Sequence, residues 1–322
     1  MNTCFFGAFV ARDGNTGGNI MKKTLAMLLC GAMTMALLVG CGNGSADATQ
    51  TTAEETEATT EATESTDETE ATETTEETEA TEEANPESDR TTFVVGFDAE
   101  YPPYGYMDDN GEYTGFDLEL AQAVCDMEGW ELTKTPIDWD SKDMELNSGS
   151  IDCIWNGFTI NGREDDYTWS DPYCDNSQVI VVAEDSGIST LADLAGKNVG
   201  VQTASAALSV LSDEEQQKAL ADTFGSLQQF SDYNSAFSEL LAGSLDAIAI
   251  DIGVANYQIS SRGEGYVILS ETLNSEQYGV GFKLGNESLR DIVNADLKKL
   301  AEDGTVAELA EKYGISDLIC LK

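Results

Sequence analysis

A stretch of 49 residues, Gly42 to Arg90, divides this chain of 322 residues and limits what each part of it can fold into. The stretch contains 17 acidic residues and one arginine, and it has no Phe, Trp, Tyr, Leu, Ile or Val. Such a segment buries too little apolar surface to offset the entropy lost on ordering the backbone, so we expect a disordered acidic tether. A packed core must therefore come from residues 91–322.

The charge balance excludes several classes of function. The chain carries 16 Lys and Arg against 60 Asp and Glu, a formal charge of −44, and it has no histidine. A field of this sign repels nucleic acid and anionic lipid headgroups, so we expect neither nucleic-acid binding nor a basic membrane-binding patch. Without histidine the chain lacks the usual zinc ligands and the Ser-His-Asp triad. We predict no metal site, no cofactor and no catalytic residue.

The N-terminal region has the pattern of an export signal. Met21-Lys22-Lys23 is a short basic segment, and Thr24 to Leu37 is a mainly apolar run that is short for a membrane-spanning helix. Leu38-Val39-Gly40-Cys41 follows and resembles a lipobox, the site at which bacterial lipoproteins are cleaved and lipidated on the cysteine. We predict a signal peptide over residues 1–40 and a lipidated Cys41 at the start of the tether, residues 41–90. An ordinary cleaved signal, with Cys41 unmodified, is the alternative.

Residues 91–322 alternate between short apolar runs and amphipathic stretches. The runs predicted as strands are Phe93–Phe97, Ile151–Trp155, Val179–Val182, Val199–Val201, Ala247–Ile250 and Tyr278–Phe282. The stretches predicted as helices are Asp117–Glu128, Ala206–Leu220, Ser235–Leu241, Ser288–Ala301 and Thr305–Tyr313. This order is typical of α/β folds with mostly parallel sheets, in which ligands lie at the carboxyl ends of strands.

A series of short motifs runs in order through the same residues. It includes Val95-Gly-Phe-Asp98, Tyr101-Pro-Pro-Tyr104, Gly115-Phe-Asp117, Gly157-Phe-Thr-Ile160, Ser170-Asp-Pro-Tyr173, Ala195-Gly-Lys197, Gly243-Ser-Leu-Asp-Ala247 and Tyr278-Gly-Val-Gly281. Taken together, the series resembles the family 3 periplasmic-type solute-binding proteins, the polar amino-acid receptors of ABC importers. The resemblance implies a two-lobed clamshell of type II, in which each lobe has a mostly parallel sheet flanked by helices.

The resemblance also implies how the chain is divided between the lobes. Lobe one would comprise residues 91–182 and 278–322, and lobe two residues 183–277. The chain would cross between them near Ala183 and near Gln277. We expect the ligand to lie in the cleft between the lobes and the protein to be a monomer.

The family's ligand is a zwitterion, and its two charges need opposite partners. An α-carboxylate is held best by arginine, whose planar guanidinium can donate two parallel hydrogen bonds. Arg163 resembles the family's carboxylate-binding arginine, although the loop after Thr159 is one residue shorter than in relatives. Thr159 and Ser205, which opens a predicted helix, would donate to the same carboxylate. Asp251 resembles the residue that pairs with the α-ammonium group.

The remaining matched positions would shape the site around the ligand. Asn156 and Gly157 match positions whose backbone groups face the ligand, and Tyr101 and Trp139 match aromatic residues that stack on it. Asp98 matches a position that relatives with different ligands share, so it does not by itself indicate a basic ligand.

Each of these residues also has a purely structural interpretation. Arg163 could be a surface residue paired with Glu164, Asp165 or Asp166. Asp251 and Ser205 could serve only as helix N-caps, Thr159 could be a turn residue at a strand end, and Tyr101 and Trp139 could be core aromatics.

Two weaker signals concern metals and disulfides. Asp108-Asp-Asn-Gly-Glu112 resembles part of a calcium loop, but Tyr106 stands at the first ligand position, so an Asn-Gly hairpin turn is favoured. Four cysteines follow Cys41, namely Cys125, Cys153, Cys174 and Cys320. Export would permit disulfides, but their connectivity does not follow from the sequence, and we expect buried free thiols.

These observations predict an exported protein, lipid-anchored on the outer face of the cytoplasmic membrane, with residues 1–20 a mis-assigned start. It would capture a polar amino acid by lobe closure and deliver it to an ABC permease and its ATPase, which are encoded separately. The alternative is an enzyme similar to cyclohexadienyl dehydratase, which would use a cleft carboxylate as general acid. A sensory receptor of the same fold is a third hypothesis, but we predict no membrane helix after the last element.

Overall fold

A computed structural model describes residues 87–321. The predicted signal peptide, Cys41 and nearly all of the predicted tether lie outside the described residues. The last four residues of the predicted tether form a turn, closed by a hydrogen bond from the Arg90 amide to the Glu87 carbonyl. Arg90 forms ion pairs with Glu87 and with Asp152, so this end of the tether is attached to the folded domain.

The described chain alternates strands and helices. The strands are β1 Thr92–Phe97, β2 Glu100–Tyr101, β3 Gly105–Met107, β4 Tyr113–Thr114, β5 Glu131–Pro136, β6 Cys153–Ile154, β7 Thr168–Trp169, β8 Cys174–Asn176, β9 Gln178–Ala183, β10 Asn198–Gln202, β11 Ser226–Phe230, β12 Ala247–Asp251, β13 Tyr266–Ile268, β14 Glu276–Tyr278 and β15 Gly281–Phe282. The α-helices are α1 Phe116–Glu128, α2 Lys142–Ser148, α3 Ala206–Ser212, α4 Lys218–Ala221, α5 Tyr233–Ala242, α6 Ile252–Arg262, α7 Glu287–Glu302 and α8 Thr305–Tyr313. Short 3-10 turns cover Trp139–Ser141, Leu191–Leu194 and Ser316–Leu318.

The first sheet has the strand order β5-β1-β6-β15-β7. β1 pairs in parallel with β5 and β6, whereas β15 runs antiparallel to β6 and β7, so four strands share one direction. Phe93, Val95 and Phe97 of β1 are fully buried, as expected for a central strand covered by helices.

The second sheet repeats this plan with the order β11-β10-β12-β9-β13. β10 pairs in parallel with β11 and β12, and β9 runs antiparallel to β12 and β13. All five residues of β12 are buried, and it lies at the centre of the sheet. The mixed α/β, two-lobed fold is therefore confirmed. In each sheet, one strand runs antiparallel to the other four.

The two sheets are joined by paired segments. β8 and β14 form a separate antiparallel pair in which Asn176 faces Glu276 and Cys174 faces Tyr278. We call this pair the hinge strands. β14 contains Gln277, and β15, the next strand, pairs in the first sheet. β9 begins at Gln178 and pairs only within the second sheet. The predicted strand Val179–Val182 therefore belongs to the second sheet, and the first crossing is earlier than predicted.

Two predicted elements are interrupted. The helix predicted over Ala206–Leu220 ends at Ser212, because Asp213 is extended and its carboxylate accepts a hydrogen bond from the Glu215 amide, which starts a turn. The strand predicted over Tyr278–Phe282 is two strands, because Tyr278 pairs with β8 while Gly281 and Phe282 pair with β6.

The other local predictions concern the turn, the cysteines and the membrane. Asp108 accepts hydrogen bonds from the Asn110 and Glu112 amides, and the residues lie in the hairpin between β3 and β4, as an Asn-Gly turn requires. Cys125, Cys153 and Cys174 are buried free thiols. Across residues 87–321, no helix has both the length and the apolar character needed to cross a bilayer.

Candidate ligand-binding site

A cleft with a volume of about 900 Å³ opens between the two lobes. On the first lobe it is lined by the loop after β1 and by residues between Thr135 and Glu145, and on the second lobe by Thr203, Ser231 and Asp232. Its acidic lining residues are Asp98, Glu100, Asp138, Asp140, Glu145 and Asp232, and no described Lys or Arg lines it. Clefts lined by charges of one sign focus the field, so this one attracts cations.

Asp98 lies at the inner edge of the cleft, directly after β1. Its carboxylate is 7% exposed and accepts hydrogen bonds from the Glu100 amide at 2.8 Å and from the Gln202 side chain of the second lobe at 2.6 Å. Burial, with smaller contributions from the charges of Glu100 and Asp232, raises the pKa of Asp98 to about 6. The residue therefore joins the lobes and titrates near neutral pH.

The lobes touch each other at the edge of this cleft. The Tyr101 and Tyr233 rings lie 6.0 Å apart across the lobes, and the Asn234 amide donates to the Glu100 carboxylate at 3.2 Å. The charges of Glu100 and Asp232 both act on Asp98 and help to raise its pKa. Three carboxylates, those of Asp98, Glu100 and Asp232, thus come together where the lobes meet.

Trp139 follows β5, lines the cleft and packs against a cluster of buried hydrophobic residues. Its ring makes an edge contact with Phe158, with centroids 5.5 Å apart. The Lys142 ammonium group lies 5.3 Å from the Trp139 ring centroid, close enough for a cation–π interaction.

Arg163 is partly buried in the loop after Thr159. Its guanidinium donates to the Thr159 carbonyl at 3.2 Å and lies 5.3 Å from the Phe158 ring centroid. None of the ion pairs of residues 87–321 includes Arg163, so the alternative of a surface pair with Glu164, Asp165 or Asp166 is not found there. In a strongly acidic domain, a guanidinium without a carboxylate partner is suited to an anionic group from outside the chain.

Gly157 and Asn156 form the strand-end loop before Thr159. Gly157 has φ +58°, and a Cβ there would lie 3.1–3.2 Å from the rings of Tyr101, Tyr104 and Tyr278, so this position requires glycine. Asn156 is 1% exposed, and neither polar atom of its side chain has a hydrogen-bond partner in the described structure. An orphaned buried amide of this kind is costly, which is typical of a functional position.

Asp117, on the first turn of α1, holds this loop in place. Its carboxylate accepts a hydrogen bond from the Gly157 amide at 2.6 Å and from the Tyr173 hydroxyl at 2.8 Å. Full burial raises the pKa of Asp117 to about 7. Asp117 was quoted only as part of a sequence motif, and its contact with the loop was not predicted.

Ser205 caps α3, as its position predicted. Its hydroxyl oxygen accepts a hydrogen bond from the Leu208 amide at 3.1 Å, and the side chain is buried. The preceding residue, Ala204, has φ +56°, and it is the one non-glycine residue with positive φ within residues 87–321. Such strain commonly occurs at functional sites.

Asp251 ends β12 and stands at the N-terminus of α6, but its side chain makes no capping hydrogen bond. Its Oδ1 instead accepts hydrogen bonds from Asn176 Nδ2 and Gln178 Nε2 at 2.7 Å and from the Tyr278 hydroxyl at 2.6 Å. Tyr101 also hydrogen-bonds the carboxylate. Burial, and then the nearby charge of Glu276, raise the pKa of Asp251 to about 6.

Glu276, on hinge strand β14, is a second buried carboxylate beside Asp251. Its Oε1 accepts hydrogen bonds at 2.8 Å from Thr159 Oγ1, Asn176 Nδ2 and Gln178 Nε2. The buried Thr159 hydroxyl, which was predicted to bind the ligand, therefore donates its hydrogen bond to Glu276. Two side-chain amides connect Glu276 to Asp251, and no described Lys or Arg forms an ion pair with either carboxylate.

Comparison with known proteins identifies the architecture. Residues 93–316 match the family model of the bacterial extracellular solute-binding proteins, family 3. The chain belongs to this family. The family resemblance predicted from the motifs is therefore confirmed.

Relatives match over nearly their whole length. The L-cystine-binding protein TcyJ of Escherichia coli K12 is 30% identical over 237 residues, which cover 73% of this chain and 86% of TcyJ. The crystal structure of a substrate-binding protein of an ABC uptake transporter from Streptococcus pneumoniae, with bound histidine, has a TM-score of 0.68 and 31% identity, and covers 71% of this chain and 94% of that one.

A third solved structure bears on the alternative of an enzyme. It is the ancestral amino acid-binding protein AncCDT-1, described as a precursor of cyclohexadienyl dehydratase, with a TM-score of 0.63 and 31% identity over 69% of this chain and 95% of that one. The fold therefore includes both binding proteins and a lineage that leads to an enzyme.

The structure groups six of the predicted site residues in two places, whereas Arg163 packs on Phe158 and does not line the cleft. Asp98 and Trp139 line the open cleft. Tyr101, Thr159, Ser205 and Asp251 are buried in the adjoining cluster around the hinge strands. Sequence reasoning missed Glu276, Asn176, Gln178, Tyr278 and Asp232. The available signal was that the two predicted crossings, near Ala183 and near Gln277, must lie side by side, but the register that brings Asn176 and Glu276 together beside Asp251 did not follow from it.

Proposed function

We propose that this protein is the substrate-binding component of an ABC importer and that it binds a free amino acid between its lobes. The observation that carries the proposal is that a chain of this family has both an arginine without a carboxylate partner, Arg163, and a buried aspartate without a cationic partner, Asp251, among its described residues. One charge suits the α-carboxylate and the other the α-ammonium group.

We propose the following roles for the individual residues. Arg163 and the Ser205 end of α3 bind the α-carboxylate, where the helix N-terminus contributes free amides and a favourable dipole. Asp251 binds the α-ammonium group, and backbone groups of Asn156 and Gly157, other than the Gly157 N–H that Asp117 accepts, face the ligand. Tyr101 and Trp139 pack on the ligand and exclude water.

We propose further that the preferred ligand has a cationic side chain. Asp98, Glu100 and Asp232 meet at the lobe interface, and no described Lys or Arg lines the cleft. Lobe closure therefore concentrates negative charge, and only a ligand that binds the closed form better than the open form can favour closure. A basic side chain supplies the missing positive charge.

Titration calorimetry of the full chain against the twenty standard amino acids, L-ornithine and L-cystine tests this proposal. We expect at least one ligand with a Kd in the micromolar range or below, and we expect L-arginine, L-lysine or L-ornithine to bind more tightly than neutral amino acids of the same length. A flat titration with every compound would overturn the proposed function. Tighter binding of L-cystine would overturn only the preference for a cationic side chain.

The predicted attachment and partners remain part of the proposal. A lipidated Cys41 and the acidic tether would hold the binding domain at the outer face of the cytoplasmic membrane, where it would meet the permease as a monomer. Mass spectrometry of the membrane fraction tests this step, since a diacyl-modified peptide that begins at Cys41 is expected. A soluble mature chain with an unmodified Cys41 would contradict it.

An enzyme is the second candidate. Asp98 has a pKa of about 6, so part of its population is protonated at neutral pH and could act as a general acid. The relation to AncCDT-1 makes prephenate and arogenate the substrates to test. We propose a binding protein and expect no turnover of either compound, whereas release of carbon dioxide and water at a measurable rate would favour the enzyme.

A further inference from the structure

The hinge strands bring a second carboxylate to the proposed α-ammonium site. Glu276 is 4% exposed and Asp251 is 2% exposed, so both carboxylates are removed from solvent. Burial of ionised carboxylates is costly unless they are hydrogen-bonded and neutralised by a cation. The hydrogen bonds are present here, whereas the described chain supplies no cation to either group.

Two side-chain amides keep the carboxylates together. Asn176 Nδ2 donates one hydrogen bond to Asp251 Oδ1 and one to Glu276 Oε1, and Gln178 Nε2 does the same. An amide nitrogen has two hydrogens, so each bridge uses both of its donors. The two carboxylate oxygens are therefore held within two hydrogen-bond lengths of each other.

Glu276 also reaches the first lobe and the adjacent loop. Its Oε1 accepts the Thr159 hydroxyl, and its Oε2 accepts the Asn274 side-chain amide at 3.0 Å. Thr159 belongs to the first lobe, Asn176 to the hinge strand β8 and Gln178 to the second sheet. A single side chain thus fixes the orientation of proposed ligand contacts on both sides of the hinge.

From this geometry we propose that Glu276 is a positioning residue for the α-ammonium group of the ligand, which orients Asp251 and Thr159 and adds a second negative charge beside that group. The inference rests on the proposed function. It extends that function by assigning the ammonium site a pair of carboxylates, and it predicts that ligand affinity depends on pH through Asp251.

Among the ionisable groups that face Asp251, Glu276 is the one whose charge affects the pKa of Asp251 between pH 5 and pH 8. Tyr101 of β2, Tyr104 of the loop after it, Tyr233 of α5 and Tyr278 of β14 surround the carboxylate, and burial raises the pKa of each phenol well above its ordinary value. These four phenols stay neutral between pH 5 and pH 8. Glu276 is the charged residue that raises the pKa of Asp251.

The experiment isolates the ammonium site with a pair of ligands. The amino acid that binds most tightly in the calorimetric screen is compared with the analogue that lacks only the α-amino group, which is 5-guanidinopentanoate for L-arginine and 3-(imidazol-4-yl)propanoate for L-histidine. The ratio of the two affinities is measured from pH 5 to pH 8. Titration of Asp98 and Asp117 affects both ligands and cancels in this ratio.

For the wild-type protein, the affinity ratio is expected to be constant above pH 7 and to fall as Asp251 is protonated below about pH 6. In Glu276→Gln, loss of the neighbouring charge should lower the ratio several-fold at pH 8 and move its fall to lower pH by on the order of one unit. Glu311→Gln, an exposed glutamate on α8, is the matched control and should match the wild type.

The outcomes separate this inference from the proposed function. A Glu276→Gln ratio that falls at the same pH as in the wild type would overturn the inference and leave the binding function intact. Absence of amino-acid binding by the wild type would overturn the function. If Glu276→Gln does not fold, Glu276→Asp provides the test, because it keeps the charge but shortens the reach to Thr159. A reduced affinity ratio with an unchanged pH dependence would support the inference. An affinity ratio equal to that of the wild type would contradict it.

Discussion

Asp251 and Arg163 carry the opposite charges proposed to bind an amino acid, and the fold supports them very differently. The Asp251 carboxylate accepts hydrogen bonds from Asn176, Gln178, Tyr101 and Tyr278, and it is buried in an aromatic cluster. Arg163 makes a hydrogen bond to one carbonyl and packs on one ring. The ammonium end of the site is thus preorganised, whereas the carboxylate end is held loosely.

This difference suggests how the two ends contribute to binding. A preorganised acceptor loses little entropy when the ligand arrives, so Asp251 and its neighbours set geometric selectivity. A loosely held guanidinium loses more conformational entropy when it binds the carboxylate. It can, however, adjust to the carboxylate once the second lobe brings the N-terminus of α3 closer. The following predictions test whether the two ends differ in this way.

The largest expected effect on ligand affinity is at Arg163, the loosely held carboxylate end of the site. Arg163→Ala should weaken amino-acid binding by about 3 kcal/mol, because the buried α-carboxylate would lose its charged partner. Calorimetry on the full chain measures the loss. Arg290→Ala, which removes a partly buried arginine paired with Asp291 on α7, is the control and should leave the affinity unchanged. An unaltered Kd in Arg163→Ala would remove Arg163 from the site.

At the preorganised end, affinity and stability should change in opposite directions. Asp251→Asn should weaken binding by about 2 kcal/mol through loss of the ammonium partner. Because burial and Glu276 raise the pKa of Asp251, its ionised form costs stability, and this cost appears as the pH rises from about 4 towards 6.

The unliganded Asp251→Asn variant should therefore be more stable than the wild type at pH 7.5, by about 1 kcal/mol, and should show no such gain at pH 4. Urea unfolding at the two pH values checks this. A variant that is less stable than the wild type at pH 7.5 would contradict the proposed electrostatic cost at this end.

The acidic residues of the cleft are expected to make a third contribution to affinity, through the side chain of the ligand. Asp232→Asn keeps a residue that can cap α5, where Asp232 accepts a hydrogen bond from the Ser235 amide. It should weaken L-arginine binding by about 1 kcal/mol at low salt and by less at high salt. Binding of L-citrulline, which has a neutral side chain of similar shape, provides the comparison. An equal loss for both ligands would rule out a charge effect.

The smallest effect concerns the backbone near Ser205. Ala204 adopts a left-handed conformation that costs an alanine about 1 kcal/mol, and glycine avoids this cost but loses more entropy on folding. Ala204→Gly should therefore stabilise the protein by about 0.5 kcal/mol. Thermal unfolding would detect the change, and destabilisation would show that the left-handed turn is not strained.

The sequence predicted the fold and part of the site for identifiable reasons. Local patterns located α8, β10 and β1 to within two residues, because their hydrophobic periodicity is regular. Motif resemblance predicted Asp251 and Arg163 as ligand contacts, and the structure leaves both without an ion-pair partner among the described residues. The interruption at Asp213 depends on a local turn, which a helical pattern of apolar residues does not reveal.

What could not be predicted depends on long-range pairing. Glu276, Asn176 and Gln178 come from segments about one hundred residues apart, and their contacts exist only because β8 and β14 pair with a particular register. The same pairing explains why β9 belongs to the second sheet. Register between distant strands is set by the packed fold and not by local patterns.

A crystal structure of the protein with its tightest-binding amino acid tests the central claim most directly. We predict the α-carboxylate within hydrogen-bond distance of Arg163 and the N-terminus of α3, and the α-ammonium group within hydrogen-bond distance of Asp251, with the side chain directed towards Asp98. A ligand bound elsewhere in the cleft, with neither Arg163 nor Asp251 in contact, would contradict the account.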